Sequence, residues 1–154
     1  MKTQQILETI ARGDESAVQF MRLILAISNT WDDLIDRDQP MSERRINDMM
    51  WEALIELPAN EFYARHQQSL HPLLAVAILN WHAANQMERS YGDLEVAYIL
   101  RSSFVDILAM VALLCGGRDH AQDMVPVIRE ATHHEGLAVY RVNLQHERAA
   151  REGV

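Results

Sequence analysis

The stretch "FMRLILAISNTWDDLIDRDQP" (residues 20–40) joins an apolar run to four aspartates that fall within seven positions. Successive residues of an α-helix turn by about 100°. On that wheel one arc holds the polar residues Asn29, Asp32, Asp33 and Asp36. The opposite arc holds the apolar residues Phe20, Ile24, Ile27, Trp31, Leu34 and Ile35. This pattern predicts a long helix that runs through the interior of a bundle and ends with one acidic side.

The rest of the chain also has the punctuation of a helical protein. The four prolines and most glycines lie between apolar segments of helical spacing, and no run of alternating β-branched residues indicates a strand. Good N-cap residues mark helix starts at Thr3, Asp14, Ser42, Asn60, Asp93 and Asp119. The predicted helices cover residues 3–12, 14–37, 42–57, 60–67, 72–91, 93–115 and 119–150, with Gly116-Gly117 as a helix terminator.

Length and composition favour a single all-α domain. The 154 residues are enough for one core, and 49% of them are hydrophobic. We therefore expect residues 1–154 to form one helical bundle of about six to seven helices. The polar residues after about position 143 are expected to fray. The composition is also compatible with a homo-oligomer.

Charge and apolar content exclude several classes of partner. The formal net charge of −8 argues against nucleic acid, which is bound through clustered lysines and arginines. The most apolar run, residues 104–115, is too short to span a bilayer. The N-terminus has no apolar segment of signal-peptide length, and Cys115 has no second cysteine to pair with. A cytoplasmic protein without a membrane span is the expectation.

The aspartates sit where the helix dipole disfavours them. Negative charge at the C-terminal end of a helix costs stability, and clustered carboxylates repel one another unless a cation neutralises them. Carboxylate oxygens are the ligands that Mg²⁺ prefers, and Mg²⁺ often shares its shell with phosphate. Two interpretations follow: a magnesium site, or an acidic helix end exposed to solvent.

The segment "DDLID" (residues 32–36) is a DDxxD motif and resembles that of class I isoprenoid synthases, the prenyl diphosphate synthases and terpene cyclases. The resemblance covers residues 18–46 and implies a shortened isoprenoid-synthase core. It implies that Asp32, Asp33 and Asp36 bind Mg²⁺, which grips a substrate diphosphate above an apolar tunnel. By the same resemblance, the pair Arg44-Arg45 would bind a second diphosphate.

Other polar residues could complete such a site from neighbouring helices. Asn29 lies on the aspartate arc, and Glu88 lies beside a stripe that holds His82, Asn85 and Arg89. We expect that stripe to be a polar surface. Asp106 is the only charged residue between Arg101 and Arg118, so we expect it to be largely buried and to need a partner. Asn29, Glu88 and Asp106 are therefore further candidate metal ligands.

Three functions are compatible with the sequence. The first is Mg²⁺-dependent binding, hydrolysis or transfer of a diphosphate ester. The second is a non-catalytic helical adaptor or assembly protein whose acidic helix end is only solvated. The third is an all-α nucleotide pyrophosphohydrolase, although the ExxE and ExxD spacing typical of those enzymes is absent.

Overall fold

Seven helices form the part of the chain described by the computed structural model, which comprises residues 3–37, 40–90, 94–132 and 135–153. No strand occurs in these ranges, so the prediction of an all-α bundle is confirmed. The helices are α1 (Thr3–Ala11), α2 (Glu15–Asp36), α3 (Glu43–Trp51), α4 (Glu61–Arg89), α5 (Leu94–Arg101), α6 (Phe104–Thr132) and α7 (Leu137–Glu152). A π-helical turn (Glu52–Glu56) and a short α-helical turn (Leu57–Ala59) continue α3 without a break.

Three of the predicted N-caps close the first turn of a helix. Asp14 accepts a hydrogen bond from the backbone N–H of Ala17 at the start of α2. Ser42 and Asn60 do the same at the starts of α3 and α4. These bonds satisfy backbone N–H groups that have no partner within the helix. A new helical segment begins after the non-helical residue Gly117, close to the predicted start at Asp119, although α6 as a whole extends from Phe104 to Thr132. Asp93 lies outside the described residues.

The core forms where α1, α2, α4 and α6 meet. The aromatic rings of Phe20 on α2 and Phe62 on α4 lie 5.8 Å apart, and both side chains are buried. Ile10 of α1 and Ile107 of α6 are fully buried in the same cluster. Burying an aliphatic or aromatic side chain contributes about 1.5–3 kcal/mol. The early part of α2 is therefore an interior helix, as its apolar wheel predicts.

Two predicted helices are one helix in the structure. The segments 60–67 and 72–91 belong to α4, which continues through Pro72 and leaves helical backbone angles at His66 (φ −117°, ψ 19°). A proline inside a helix lacks the N–H that would bond the preceding turn, and its ring pushes on that turn. Pro72 therefore bends the helix one to two turns earlier instead of ending it.

One predicted helix is two. Residues 93–115 are divided at Ser102 and Ser103, whose hydroxyls donate to the carbonyls of Ile99 (2.8 Å) and Leu100 (2.7 Å). Serine hydroxyls that bond nearby carbonyls compete with the helical backbone, so the chain turns here. Because of this turn, Arg101 is the last residue of α5.

Glycines and a proline mark the remaining differences. Gly117 (φ 78°, ψ −174°) bends α6, and the helix resumes and continues through Pro126. The expected terminator is therefore a bend. The helix α6 ends at Thr132, and Gly136 is the N-cap residue of α7. This last helix stays helical past position 143, to Glu152.

Within the described ranges, no single helix combines the length and apolar composition needed to cross a membrane. Taken together, α5 and α6 meet those criteria, with a 44° bend between them.

Candidate functional site

A single guanidinium group lies among the acidic side chains of two helices. Nη2 of Arg101 donates to Oδ1 of Asp32 at 3.1 Å and to Oδ2 of Asp36 at 3.0 Å. Nη1 of the same residue donates to Oδ1 of Asn85 at 2.9 Å and to the carboxylate of Glu88 at 3.1 Å and 3.2 Å. We call these five side chains the Arg101 cluster.

Helical spacing explains how the cluster is assembled. Asp32 and Asp36 are four residues apart and share one side of α2, close to its C-terminal end. Asn85 and Glu88 are three residues apart on α4, near its own C-terminal end. Arg101 closes α5, where a cation also interacts favourably with the helix dipole. Three helix ends therefore meet at one arginine.

Two tryptophan side chains, Trp81 and Trp31, pack at the Arg101 cluster. Nε1 of Trp81 donates to Oδ1 of Asp32 at 3.0 Å, and the guanidinium of Arg101 lies 5.9 Å from the Trp81 ring centroid. The ring of Trp31 packs on Trp81 with a centroid distance of 4.0 Å. These contacts restrict the rotamers of both charged groups, so the ion pair has a fixed geometry.

The helix α7 closes the other side of the cluster. The hydroxyl of Tyr140 donates to the Glu88 carboxylate, and Nη2 of Arg148 donates to the backbone carbonyl of Glu88. Both Tyr140 and Glu88 are buried. Burial raises the pKa of the Tyr140 hydroxyl, and the hydrogen bond to the negatively charged Glu88 raises it further. Tyr140 therefore keeps its proton at neutral pH and donates a hydrogen bond to Glu88.

The cluster holds more negative than positive charge. Three carboxylates face one guanidinium, which leaves two negative charges over when all four groups are ionised. Burial raises the pKa of Asp32, and the neighbouring charge of Asp36 adds to that effect against the opposing influence of Arg101. Burial alone would lower the pKa of Arg101, but Glu88, Asp32 and Asp36 together raise it. Asp32 therefore takes up a proton more readily than an aspartate exposed to water does.

A cavity of about 480 Å³ opens beside the cluster. Arg101 and Trp81 form part of its wall, and the remaining wall is mostly apolar, with Ile6, Leu7, Leu108 and Ile128 among its residues. Its other polar wall residues are Thr3, Ser28, Asn29, Tyr98, Ser102, Thr132, Glu135 and Tyr140. Its volume lies within the usual range of small-molecule pockets, which are mostly apolar with a few polar groups.

The structure brings together some of the predicted site residues. Asp32, Asp36 and Glu88 converge on Arg101, and Asn29 lines the neighbouring cavity. Asp33 is partly exposed on α2 beside Asp32.

Asp106 lies elsewhere and is not the buried acid that was predicted. Its side chain is 47% exposed and pairs with Arg129. Asp106 precedes the bend of α6 at Gly117 and Arg129 follows it, so the ion pair joins the two segments of this helix. The sequence predicts a helix end at Gly116-Gly117, but it does not show that the following segment folds back and brings Arg129 to Asp106.

Arg44 and Arg45, the predicted diphosphate-binding pair, both interact with nearby residues. Arg44 is 91% exposed and lies 3.9 Å from Asp48, one turn along α3. Nη2 of Arg45 donates to the carbonyl of Ala26 at 3.1 Å, and Nη1 lies 3.7 Å from Glu52. Arg45 thus fastens α3 to the middle of α2.

Sequence reasoning missed the central residue, Arg101, and the burial of Asn85. The stripe that includes Asn85 was expected to be exposed, whereas Asn85 is only 6% exposed and Glu88 only 7%. A signal was available: a buried glutamate requires a cation, and Arg101 is the nearest arginine on the following helix.

The donor set suits a hard cation, but Arg101 takes its place. Asp32 and Asp36 supply carboxylate oxygens that converge on one nitrogen atom, and Mg²⁺ prefers such oxygens. Among the residues that the structure describes, no group of three or more histidine, cysteine, aspartate or glutamate side chains is arranged to hold a metal ion. Magnesium binding by Asp32, Asp36 and Glu88 would therefore require the guanidinium to move aside.

Comparison with known proteins adds no relative: no protein-family model, curated protein or solved structure matches the chain.

Proposed function

We propose that the chain binds a small amphiphilic molecule, with its apolar part in the cavity and an anionic end group at Arg101. The observation that carries this proposal is the cavity itself, because its wall combines many apolar residues with the cationic group of Arg101 and several hydroxyl and amide groups; one acidic residue, Glu135, also lines it. Arg101 is the cationic group on this wall, so an anionic end group rich in acceptor oxygens fits it best.

A prenyl diphosphate carried by Mg²⁺ is the specific candidate. The DDxxD resemblance favours it, and two surplus negative charges in the Arg101 cluster equal the charge of one divalent cation. With Arg101 displaced towards the diphosphate, Asp32, Asp36 and Glu88 would hold the metal. A bound Mg²⁺ would neutralise the diphosphate and assist its departure as a leaving group. The apolar wall would hold the hydrocarbon chain away from water.

Calorimetric titration tests this proposal with three ligands in the presence of Mg²⁺: geranyl diphosphate, inorganic pyrophosphate and a nucleoside triphosphate. We expect geranyl diphosphate to bind most tightly, since only this ligand offers both an apolar tail and a diphosphate. Phosphate release by the same samples would show whether binding leads to hydrolysis. Preference for the nucleotide would favour the pyrophosphohydrolase interpretation instead.

A matched pair of variants locates the binding site. Ala131 lines the cavity, so Ala131→Phe should fill it and abolish binding of geranyl diphosphate. Val139 is 54% exposed on α7, so Val139→Phe adds comparable bulk outside the cavity and should leave binding unchanged. Equal affinity in both variants, or no heat with any ligand, would reject a ligand-binding function for the cavity.

A second candidate is a helical adaptor, and one surface favours it. Trp51, Leu54 and Ile55 lie where α3 passes into the π-helical turn, and their side chains are 58%, 63% and 48% exposed. Exposed apolar residues on one helix side are typical of surfaces that contact another protein. An adaptor would retain its partner in Ala131→Phe and lose it in Leu54→Glu.

A further inference from the structure

A second cavity, of about 770 Å³, is lined by the C-terminal ends of α2 and α4 and by α7. Its wall residues are Leu34, Ile35, Asp36, Arg37, Arg89, Glu147 and Ala150. Among the described residues, it shares no wall residue with the cavity beside the Arg101 cluster. Its volume also lies within the range of small-molecule sites, so it can hold a ligand of its own.

Two arginines on this wall have no partner in the part of the chain that the structure describes. The guanidinium groups of Arg37 and Arg89 form neither a hydrogen bond nor an ion pair there, and both residues are exposed. By contrast, ion pairs with carboxylates are formed by Arg44, Arg45, Arg65, Arg101, Arg129 and Arg141. Acids are plentiful in a chain with a net charge of −8. Two arginines without one, on the wall of the same cavity, are therefore available to a ligand.

The Arg101 cluster brings these two arginines to neighbouring helix ends. Asp36 and Glu88 both bind Arg101, at 3.0 Å and 3.1 Å. Arg37 directly follows Asp36, and Arg89 directly follows Glu88. The ion pairs thus hold the C-terminal ends of α2 and α4 side by side, and the arginines that follow line the same cavity.

The position of these arginines at helix ends does not occupy their hydrogen-bond donors. A cation near the C-terminal end of a helix interacts favourably with the helix dipole and offsets the charge of nearby acids. Both effects act through space, whereas a guanidinium group carries several N–H donors that need acceptor oxygens. Of the two acids on the wall, Asp36 is already bound by Arg101, and Glu147 lies on α7. The donors of Arg37 and Arg89 are therefore left to water or to a ligand.

We propose that the second cavity binds a phosphate monoester, whose phosphate lies between Arg37 and Arg89. Its organic group packs against Leu34, Ile35 and Ala150. A phosphate monoester carries about 1.5 to 2 negative charges at neutral pH and has three terminal oxygens, so it accepts hydrogen bonds from two guanidinium groups at once. A carboxylate has only two oxygens, and a single guanidinium group can bind both of them. The apolar wall residues give an ester an advantage over the free phosphate ion.

Calorimetric titration in the presence of EDTA tests this site with phenyl phosphate, inorganic phosphate and benzoate. EDTA removes Mg²⁺, so the result does not depend on magnesium binding by the Arg101 cluster. We expect phenyl phosphate to bind most tightly, because inorganic phosphate lacks the apolar group and benzoate leaves one guanidinium group without an acceptor. Equal or tighter binding of either of the other two ligands would overturn the proposed ligand class.

Two double variants separate the site from the overall charge of the chain. Arg37→Gln, Arg89→Gln removes both proposed phosphate ligands. Arg12→Gln, Arg118→Gln is the matched control, because both arginines are exposed, neither lines the cavity, and the net charge changes by the same amount. Arg12 also shares with Arg37 a positive φ, 50° against 56°. Losing a hydrogen bond to a charged group weakens binding roughly tenfold or more. The first variant should therefore bind phenyl phosphate at least about tenfold more weakly, and the control should stay close to the native affinity.

Glu147→Gln should change the affinity in the opposite direction. It removes a negative charge from the cavity wall, so phenyl phosphate should bind more tightly than it does to the native chain. Circular dichroism should show native helix content in every variant, since the substituted residues are exposed.

The proposal is overturned by an equal loss of affinity in the two double variants, by weaker binding in Glu147→Gln, or by a native chain that gives no heat with any of the three ligands. Ala131→Phe fills only the cavity beside the Arg101 cluster and should bind phenyl phosphate like the native chain. Ligand binding by the two cavities can therefore fail independently.

Discussion

Nη2 of Arg101 lies 3.0 Å from Oδ2 of Asp36, although the two residues are 65 positions apart in the chain. Asp36 is the last residue of α2, where the helix dipole disfavours a negative charge. Arg101 is the last residue of α5, where the dipole favours a positive one. The ion pair therefore offsets the unfavourable interaction between Asp36 and the dipole of α2, and Arg101 also interacts favourably with the dipole of α5. The same pair joins the C-terminal ends of the two helices.

Replacement of the arginine should expose that cost. In Arg101→Met, Asp32, Asp36 and Glu88 would face one another without a counter-ion. Removing one member of a buried ion pair costs about 3–5 kcal/mol. Since Arg101 keeps 22% of its side-chain exposure, we expect the lower end, about 3 kcal/mol. Urea denaturation at neutral pH measures this change.

Arg129→Met is the appropriate control for that measurement. Arg129 also pairs with an aspartate, but the Asp106 side chain is 47% exposed, and exposed pairs contribute about 0–1 kcal/mol. An equal loss of stability in both variants would mean that the Arg101 cluster has no special role in the fold.

Magnesium should compensate for the missing guanidinium. With Arg101 replaced by methionine, the oxygens of Asp32 and Asp36 are free to bind a divalent cation at the position that Nη2 occupied. Mg²⁺ should therefore raise the melting temperature of Arg101→Met more than that of the native chain. The triple variant Asp32→Asn, Asp36→Asn, Arg101→Met should lose this response. An identical response in Arg101→Met and in the triple variant would place Mg²⁺ binding elsewhere.

The acidic end of α2 was predictable from the sequence, but its partner was not. The wheel of residues 20–36 alone determines that Asp32 and Asp36 lie on one side of a helix. Which group faces them depends on how α4 and α5 pack against α2. That packing depends in turn on the turn at Ser102 and Ser103, where a local hydroxyl bond overrides an apolar pattern that continues through it.

The differences between prediction and structure at Pro72 and at Gly117 have the same origin. Pro72 and Gly117 carry strong local signals for ending a helix. Packing of the buried residues on both sides of each bend keeps the segments in line or folds them back, and local propensity cannot show this. The helical class, which depends on the spacing of many residues, was predictable for the opposite reason.

The pH dependence of stability should identify Asp32 as a carboxylate that folding disfavours. Burial raises its pKa above the ordinary value of 3.8, with Asp36 adding to the shift. A group with a raised pKa contributes stability that is present below 3.8 and is lost as pH rises through its folded-state pKa. Asparagine at position 32 does not titrate. The stability of the native chain relative to Asp32→Asn should therefore fall from acid to neutral pH.

Asp14 provides a control of opposite sign. Burial raises its pKa, but hydrogen bonds from Ser16 and from the N–H of Ala17, together with Arg65, outweigh burial and lower it. The stability that Asp14 contributes is present above 3.8 and is lost as pH falls through its folded-state pKa. Relative to Asp14→Asn, the native chain should become more stable as pH rises. Parallel pH curves for the two variants, from denaturation midpoints, would contradict the assignment for Asp32.

The bend of α6 should depend on one glycine for space and on its neighbour for backbone conformation. A Cβ atom on Gly116 would clash with the ring of His120 and would lie 2.6 Å from its Cβ. Nε2 of His120 donates to the carbonyl of Ile10 at 3.1 Å, so moving this side chain also weakens the contact between α6 and α1. We expect Gly116→Ala to cost about 1–3 kcal/mol, as overpacked sites do. Adding His120→Ala should remove most of the clash, so the double variant should be more stable than the sum of the single effects predicts. Gly117 has open space around it but adopts φ 78° and ψ −174°, a region essentially restricted to glycine, so Gly117→Ala should cost about 1–3 kcal/mol through backbone strain alone. His120→Ala should not relieve that loss. Denaturation midpoints of the five variants distinguish the two causes, and additive energies for Gly116→Ala and His120→Ala would contradict the steric explanation.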